Sequence, residues 1–364
     1  MLSRRVKLWF GRLALPRRLE RALPPAALQI LGALADAGYE AGLVGGCVRD
    51  LLLGAEPKDW DMTTSATPEQ ILALFPHGRV MGASRGGATV LIPMDGAPYE
   101  VTPYRGAHLG EDLSRRDFTI NAIALGLDVT LHDPLGGRQD LAERVIRACR
   151  DPAARLAEDP LRMLRAVRLA AQLDFTIDPA LAEAMRALAP RLAAVAPERI
   201  GMELGRLAVT PRAARGLDHL RELGLLPYVA PELAETVGLE QNQYHRYNVW
   251  EHLLMAVHLV PPELHLRLAA LLHDVAKPRC LSVDEAGNRH FYRHELVGAE
   301  LADSILERLR FDNETRRKVV HLVRYHMDLH FDGEVSDGAI RRMIQRVGLA
   351  EMHDLIQLRR ADRL

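Results

Sequence analysis

The feature that most constrains the fold is a pair of glycines, Gly45 and Gly46, between an apolar run and a short amphipathic run. Two acids, Asp59 and Asp61, follow in the string KDWDMT. Side chains at positions i and i+2 of a β-strand point to one face of the sheet, so a strand here would direct both carboxylates the same way. A glycine turn also lets backbone N–H groups approach a phosphate. The pattern therefore predicts a strand, a turn and a helix beside an acidic pair.

The acidic pair has two interpretations. Hard divalent cations such as Mg²⁺ take oxygen ligands, commonly one or two carboxylates together with substrate phosphates. The alternative is a pair of solvated acids at a strand end beside a structural turn. Glu100 favours the metal site, because the alternating run PYEVTPY predicts a strand that could bring this acid beside the pair. Three acids on neighbouring strands would suit two-metal phosphoryl transfer.

Composition sets the limits for the rest of the chain. Its 364 residues are 48% hydrophobic, enough for a sizeable core in two or three domains. The 47 basic and 48 acidic residues give a formal net charge of −1, so an RNA site must be a local patch. No run of 18 apolar residues occurs, so we expect no membrane partner. The cysteines lack metal or disulfide spacing, which indicates packed thiols in a reducing cytoplasm. They are Cys47, Cys149 and Cys280.

Helix and strand patterns alternate over residues 26–148, which predicts an α+β domain. Thr67-Pro68-Glu69-Gln70 predicts a helix start with a capping box. After Asp151 the chain is rich in Ala, Leu and Arg with prolines at intervals, which predicts helices almost throughout. The other predicted elements are a helix over 26–36, a strand into Gly45, a short helix ended by Gly54, a strand over DWDM, and strands over 79–83, 88–92 and 99–104.

Residues 1–25 are basic with Leu, Trp and Phe interleaved, which predicts a short amphipathic helix before Pro24-Pro25. The segment lacks the uninterrupted apolar core of a signal peptide, so we expect a cytoplasmic protein. Two interpretations remain open. The segment is either an arm that contacts RNA phosphates or a membrane surface, or a helix docked on the following domain.

Four motifs, LVGGCVRDLLLG, DWD, RRDFTINAIAL and EDPLRMLRAVRLAAQL, occur in this order within a match that spans about residues 40–235. This series resembles the class II tRNA nucleotidyltransferases, the family of CCA-adding enzymes and bacterial poly(A) polymerases. The resemblance implies transfer of a nucleotide from CTP or ATP to the tRNA acceptor end, with release of pyrophosphate and with Mg²⁺ as cofactor. The implied catalytic acids and phosphate-cradling residues are Asp59, Asp61, Glu100, Gly45, Gly46 and Arg49.

The segment RRDFTINA is predicted as a helix with Asp117 and Asn121 one turn apart on one face. By resemblance it reads the ribose, with Arg116 and Asp117 on the 2′-hydroxyl and the phosphates. A 2′-hydroxyl is both donor and acceptor, and it distinguishes ribose from deoxyribose. The alternative is a surface helix that carries an ordinary Arg-Asp pair.

Glu158, Asp159 and Arg162 match the family pattern E-D-x-x-R, and one continuous helix over EDPLRMLRAVRL would put them on one face. Cytosine and adenine each present an exocyclic amino donor beside a ring-nitrogen acceptor, which a carboxylate and a guanidinium can bind. We therefore interpret Asp159 with Arg162 as a substitute for a template base, as the resemblance also implies. The alternative is a salt bridge on a solvated helix. Residues assigned to phosphate binding or to support of this site are Arg165, Arg168, Arg199 and Glu203.

One departure from the family concerns the segment between the third acid and the RRDF motif. Full CCA-adding members carry a long, flexible, charged insertion there, whereas only residues 106–114 separate Arg105 from Arg115 in this chain. By resemblance, the insertion serves the switch from C to A, and members that add only the two C residues lack it. We therefore expect a CC-adding enzyme whose product a separate A-adding enzyme completes. Full CCA addition and poly(A) synthesis are the alternatives, although the basic C-terminal tail usual in poly(A) polymerases is absent.

Histidines and acids recur in the second half, in NVWEHLL, LLHDVAKP, YRHELVGAE, HLVRYHMDLH and RRADRL. Neutral imidazole and carboxylate are good ligands for borderline transition metals. Their order resembles the HD phosphohydrolase domain, which implies metal-dependent removal of 2′,3′-cyclic or 3′-phosphate ends from tRNA. Packed core histidines are the alternative. The chain stops soon after the last acid, so we expect a short last helix or a truncated domain. The matching residues are His252, His273, Asp274, His294, His326 and Asp362.

The predicted fold class is an α+β nucleotidyltransferase head with a mixed sheet, followed by mainly α-helical neck and HD domains. We expect an N-terminal basic extension over 1–25, the head over 26–148, the neck over 149–238 and the HD domain over 239–364. The neck would bind the nucleotide base and RNA.

Overall fold

The computed structural model describes residues 23–82, 88–128, 130–241, 247–329 and 336–363. These form two compact units, of which the first ends at Arg155 and the second begins at Leu156. The predicted amphipathic helix before Pro24 and the end of the strand predicted over 79–83 lie outside the described residues. In the described ranges, no helix is long and apolar enough to cross a membrane.

The first unit is built on a seven-stranded mixed sheet. Its strands are β1 (Ala41–Val44), β2 (Asp61–Thr64), β3 (Arg79–Met81), β4 (Thr89–Met94), β5 (Ala97–Pro103), β6 (Ala124–Gly126) and β7 (Leu131–His132). The strand order is β3-β4-β5-β2-β1-β6-β7. Strands β2 and β5 run parallel, and every other neighbouring pair in this sheet is antiparallel. The predicted α+β fold with a mixed sheet is therefore confirmed.

Short helices connect these strands. They are α1 (Pro25–Asp36), α2 (Gly46–Leu52), α3 (Pro68–Leu74), α4 (Leu109–Ser114) and α5 (Gly137–Glu143), and β8 (Val145–Ile146) precedes α6 (Pro152–Glu158). The apolar residues Ile30 and Leu34 lie one turn apart on α1 and are fully buried. The predicted capping box of α3 is confirmed, because Gln70 N donates to Thr67 Oγ1 at 3.4 Å and Thr67 N donates to Gln70 Oε1 at 2.8 Å.

The predicted helix over RRDFTINA is wrong. Only Thr119–Asn121 form a single 3₁₀ turn in this segment. The backbone donors that an α-helix would use are bound elsewhere, since Phe118 N donates to the side chain of Asp117 at 2.8 Å and Thr119 N donates to Arg147 O at 3.0 Å. A short acidic side chain that accepts from a nearby backbone N–H competes with helix formation in this way.

The second unit is almost entirely helical, as predicted. Pro179 and Pro197 each begin a helix, the position at which a missing N–H costs nothing. The helices are α7 (Arg162–Leu173), α8 (Pro179–Leu188), α9 (Pro197–Ala208), α10 (Ala213–Glu222), α11 (Leu226–Val229), α12 (Pro231–Ala234), α13 (Val249–Leu259), α14 (Leu264–Leu272), α15 (Lys277–Cys280), α16 (His294–Arg308), α17 (Asn313–Tyr325), α18 (Asp337–Val347) and α19 (Met352–Asp362). The short strands are β9 (Thr176–Ile177), β10 (Leu281–Val283) and β11 (Arg289–Phe291).

The predicted continuous helix over EDPLRMLRAVRL is also wrong. Helix α6 ends at Glu158 and α7 begins at Arg162. Pro160 explains the break, because its ring disfavours the helical conformation of the preceding Asp159 and removes a backbone donor. Asp159 therefore lies in a turn between two helices.

Helix α9 packs closely on the loop that follows α16, and a small residue makes this possible. A Cβ atom at Gly201 would lie 2.1 Å from the carbonyl oxygen of Leu309, which is part of the backbone and has little freedom to move. Gly205, one turn further along α9, faces the ring of Phe311, with a Cβ distance of 3.2 Å. The packing of α9 therefore depends on the absence of a side chain at residue 201.

We expect Gly201→Ala to lower the free energy of unfolding by about 2–3 kcal/mol, because the added methyl group must displace backbone. The measurement is urea unfolding followed by the helical circular dichroism signal. Gly338→Ala is the matched control, since a Cβ there meets only the flexible end of Arg342 at 3.6 Å. The control should be neutral or stabilising by up to about 1 kcal/mol. Equal urea midpoints for the Gly201→Ala protein and its parent would contradict the packing.

Candidate functional site

Parallel pairing of β2 with β5 brings two of the predicted acids together, because Asp61 and Glu100 are direct register partners. The prediction that Asp59 lies on the same strand is wrong, because Asp59 lies in an exposed bend before β2. Burial, then the charges of Asp61 and Asp59, raise the pKa of Glu100. Like charges this close repel one another, and oxygen donors are the ligands of hard divalent cations. In the described residues, however, the carboxylate oxygens of the three acids do not converge into one tight ligand group, so the divalent-cation site stays a prediction.

The glycine turn lies directly against this trio. Gly45 has φ of +83° and ψ of −137°, a conformation that only glycine adopts without strain. A Cβ atom at this position would lie 3.4 Å from Asp61 Oδ2 and 3.4 Å from Arg116 Nη1. The structure thus brings the turn, an acid and a guanidinium to one small space. Gly46 follows as the first residue of α2.

The residues predicted to contact ribose and triphosphate form a buried chain of hydrogen bonds. Arg49 Nη1 donates to Asn121 Oδ1 at 2.8 Å, and Asn121 Nδ2 donates to Asp117 Oδ1 at 3.3 Å. Arg49 Nε also donates to Asp50 Oδ1 at 2.8 Å. The charge of Arg49 is therefore balanced by an acid, and this residue fixes α2 to the 3₁₀ turn. Its predicted contact with a triphosphate stays a prediction.

Sequence reasoning missed Asp112, a fully buried acid on α4 that holds Arg116 in place. Asp112 Oδ2 lies 3.2 Å from Arg116 Nη2 and accepts from Thr63 Oγ1 at 3.2 Å. Its other oxygen accepts from Arg105 N at 3.2 Å. The signal in the sequence was an acid four residues before Arg116, the spacing of a helical ion pair.

In the second unit, the residues of the E-D-x-x-R pattern belong to two ion pairs. Arg162 Nη1 donates to Glu158 Oε2 at 3.1 Å, and Arg199 Nη2 donates to Asp159 Oδ2 at 2.8 Å. Arg162 N also donates to Asp159 O at 3.0 Å. Asp159 and Arg162 therefore lie on one turn, although not on one helical face as predicted. The base-reading role of these residues stays a prediction.

Arg162, Arg165 and Arg168 are the half-buried positions along the first two turns of α7. Arg168 Nε donates to Glu203 Oε2 at 2.6 Å, and Glu203 is itself buried. The predicted support from the neck thus takes the form of a buried carboxylate that orients Arg168. This pairing leaves Arg168 less able to bind a phosphate than the sequence predicts.

The structure brings all six predicted HD residues into one buried cluster. Asp274 is shared by two groups of potential metal ligands. One group is His252, His273, Asp274 and Asp362, and the other is Asp274, His294 and His326. Asp274 Oδ2 lies 3.3 Å from His273 Nε2, and Asp274 Oδ1 lies 3.1 Å from His294 Nε2. His252 Nε2 lies 3.0 Å from Asp362 Oδ1.

Hydrogen bonds to backbone carbonyls orient three of these imidazoles. His273 Nδ1 donates to Ala270 O at 2.9 Å. In the same way, His294 Nδ1 donates to Phe291 O at 2.8 Å, and His326 Nδ1 donates to Val323 O at 2.6 Å. A carbonyl only accepts, so Nδ1 carries a proton and Nε2 is the nitrogen left to bind a metal. The Nε2 atoms of His294 and His326 face each other at 3.2 Å, an arrangement that a cation between them would stabilise. The donor set therefore fits a metal centre.

The charges in this cluster are strongly coupled. Burial lowers the pKa of His273, but Asp274 and Asp362 raise it more, to about 10. Burial and the charge of His273 lower the pKa of His326 to about 3. Lys277 and His273 outweigh burial and hold the pKa of Asp274 well below its usual range. Without a metal the cluster keeps a proton on His273, which a bound cation would replace.

Sequence reasoning also missed Lys277, which is buried next to the cluster. Lys277 Nζ lies 2.7 Å from Asp274 Oδ2 and donates to Gln241 Oε1 at 2.6 Å. Arg359 pairs with Asp362 in a similar way. The signal was the string LLHDVAKP, in which a lysine follows the acid by three residues.

Family models match most of the chain. A poly(A) polymerase head domain matches residues 41–110 and 105–147. A probable RNA- and SrmB-binding site of polymerase A matches 174–236, and an HD domain matches 243–364.

Known proteins similar to this chain include tRNA nucleotidyltransferases. An A-adding tRNA nucleotidyltransferase of Deinococcus radiodurans is 39% identical over 342 residues, which cover 89% of this chain and 76% of that protein. A CC-adding tRNA nucleotidyltransferase of Thermus thermophilus is 40% identical over 344 residues, or 88% of this chain and 75% of that one. The crystal structure of the CCA-adding enzyme of Bacillus stearothermophilus with CTP matches with a TM-score of 0.73 at 29% identity, over 96% of this chain and 78% of that chain.

The repulsion within the acidic trio gives a test of its geometry. In a chelating buffer, we expect Glu100→Gln to raise Tm by roughly 1–3 °C, because it removes a half-exposed, solvent-screened charge that lies near the like charges of Asp61 and Asp59. The pKa of Glu100 in the folded protein is raised above its ordinary value of 4.5. At a pH above this raised pKa, the charge of Glu100 lowers the stability of the fold. This destabilisation fades as the pH falls towards 4.5, because Glu100 becomes protonated in both states. The gain in Tm should therefore be largest at neutral pH and shrink in acid. Calorimetry across pH measures it.

The matched control is Asp95→Asn, which removes the same charge from the turn between β4 and β5. It should leave Tm and its pH dependence close to those of the parent. A Glu100→Gln protein that is less stable than the parent at neutral pH would contradict the crowding of the three acids.

Proposed function

Because this chain belongs to the family of tRNA nucleotidyltransferases, we propose that it transfers CMP from CTP to the 3′ end of tRNA, adds the two C residues and stops. The relatives include both A-adding and CC-adding enzymes, so overall similarity does not choose between these activities. The observation that carries the proposal is the short connection between β5 and Arg115.

Hydrogen bonds within this connection restrict its movement. Glu111 accepts from Ala107 N at 3.0 Å and also pairs with Arg115. Leu113 and Ser114 at its end are buried. The match to the head-domain model breaks into two pieces at residues 105–110, within this same connection. A short, fixed connection supports the CC-adding activity, because the resemblance ties the switch from C to A to a long, flexible one.

The chemistry follows from the acidic trio and its surroundings. Mg²⁺ held by Asp59, Asp61 and Glu100 would activate the attacking hydroxyl and neutralise the triphosphate. The 3′-hydroxyl oxygen of tRNA bonds to the α-phosphorus of CTP, the bond from that phosphorus to the β-phosphate oxygen breaks, and pyrophosphate leaves. The hydroxyl proton passes to water. Arg116, which Asp112 orients, supplies positive charge to the triphosphate beside the trio.

Selection of the base would fall to Asp159 and Arg162. Asp159 pairs with Arg199, and its carboxylate can accept from the exocyclic amino group of cytosine. Arg162 can donate to the ring nitrogen and to the carbonyl oxygen of the same base. Adenine offers a similar donor and acceptor, so a full CCA-adding enzyme is the second candidate. Poly(A) synthesis would use the same head residues.

A second activity is proposed for the histidine cluster, namely hydrolysis of 2′,3′-cyclic or 3′-phosphate ends. The six ligands and the hydrogen bonds that orient three of them support it. A bound transition metal would supply a nucleophilic hydroxide at neutral pH. Water adds to the phosphorus of a cyclic phosphate, one of its two ribose oxygens leaves, and a phosphomonoester results. Lys277 holds Asp274 in place and adds positive charge beside it.

The first test offers purified protein a tRNA that ends at the discriminator base, with CTP, ATP or both. We expect an extension by two residues with CTP and no further extension when ATP is added. A tRNA that already ends in CC should not be extended when ATP is supplied. Gels that resolve single nucleotides measure each product length. A product that carries the terminal A would overturn the CC-only proposal, and a long A tail would indicate a poly(A) polymerase.

The second test separates the two activities by paired substitutions. Asp61→Ala should lower CMP transfer by roughly two to three orders of magnitude and leave hydrolysis of 2′,3′-cyclic AMP with Ni²⁺ or Mn²⁺ intact. Asp274→Asn should do the reverse, since it keeps the size of the side chain but removes a shared ligand charge. Each variant thus serves as the folding control for the other. Equal hydrolysis by the Asp274→Asn protein and its parent would refute the second activity.

A further inference from the structure

We propose that the exposed ring pair of His290 and Tyr292, here called the stacking platform, binds the last base of an RNA 3′ end whose terminal phosphate lies at the histidine cluster. The inference rests on the proposed hydrolase function and names its substrate class. The substrate would be an RNA end that is recognised by its base as well as by its phosphate.

Among the described aromatic residues of the second unit, Tyr292 is unusual because 70% of its surface is exposed. Its ring lies parallel to that of His290, with centroids 5.2 Å apart and planes 9° apart. His290 therefore covers one face of the tyrosine ring and leaves the other open to solvent. An open aromatic face of this kind is the standard support for an unpaired base in RNA-binding proteins.

The platform is held rigid before any ligand binds. His290 Nε2 lies 3.0 Å from Asp284 Oδ2, and this hydrogen bond keeps the pKa of Asp284 below its usual range. Asp284 Oδ1 accepts from Ala286 N at 3.0 Å and from Asn288 N at 2.8 Å, which closes the turn between β10 and β11. A ring pair fixed in advance loses little conformational freedom when a base stacks on it.

The platform lies beside the cluster along the chain. Tyr292 precedes the ligand His294 by two residues, so their Cα atoms are at most about 7.6 Å apart. Phe291 supplies the carbonyl that orients His294, and in sequence it lies between the two residues of the platform. A base on the platform and a phosphate at the cluster would therefore belong to the same or to adjacent nucleotides.

Arg293 links the platform to the cluster and adds a phosphate-binding group. It is exposed and has φ of +60°, an unfavourable conformation for a residue with a side chain. Such strain concentrates at functional sites. In the part of the chain that the structure describes, no ion-pair partner neutralises Arg293. Its guanidinium is thus available to an RNA phosphate.

The experiment measures stacking directly, without relying on hydrolysis. A short RNA that ends in 2-aminopurine with a 3′-phosphate is titrated with the full chain in Mg²⁺ buffer, because the fluorescence of 2-aminopurine falls when it stacks. We expect quenching by the parent and by Tyr292→Phe, which keeps the ring. Tyr292→Ala should weaken binding about tenfold and lose most of the quenching. Equal affinity and quenching for Tyr292→Ala and the parent would overturn the proposal.

A second measurement separates failure of the platform from failure of the hydrolase. With Ni²⁺ or Mn²⁺, kcat/KM is compared for 2′,3′-cyclic AMP and for methyl ribofuranoside 2′,3′-cyclic phosphate, which lacks a base. Tyr292→Ala should reduce the preference for the base-bearing substrate about tenfold, through KM. An unchanged preference would overturn the platform. Quenching that depends on Tyr292, in a protein that hydrolyses neither substrate, would support the platform and refute the hydrolase.

Discussion

The crowding of charged side chains is the constraint on which both candidate sites depend. In the first unit, the parallel pairing of β2 with β5 puts Asp61 beside Glu100, and burial together with the charges of Asp61 and Asp59 raises the pKa of Glu100. In the second unit, two carboxylates and four imidazoles share one buried space. Folding alone does not favour such arrangements, because each charge loses water, and the acids of the first unit also gain like-charged neighbours. A bound cation would compensate the negative charges, so the crowding that destabilises the metal-free protein would also favour metal binding.

Ordered neighbours let the chain tolerate this crowding. Asp112 is fully buried yet pairs with Arg116 and accepts from Thr63, so its charge is compensated. Lys277 does the same for Asp274. Neither residue is among the predicted site residues, but each fixes a residue that is. Replacing either one would leave a buried charge without compensation, which is costly.

The sequence was a better guide to which residues lie close together than to the secondary structure on which they lie. The order of motifs was enough for the fold class and for the histidine cluster, because six separated positions had to match at once. Two helices were wrong for local reasons. Pro160 breaks the segment that carries Asp159, and the side chain of Asp117 binds a backbone donor that a helix would need. Partners far along the chain, such as Gln241 for Lys277, leave no periodic signal and emerge only with the fold.

His252 on α13 contacts Asp362 at the end of α19, and these two positions are 110 residues apart. A cation bound by both residues would act as a cross-link and close that loop. In the chain-entropy description, a covalent bridge across about 100 residues stabilises a fold by roughly 4–5 kcal/mol. The three cysteines are free, so the described part of the chain has no disulfide to serve this purpose. The histidine cluster would then secure the last helix of the chain, and its metal would be structural as well as chemical.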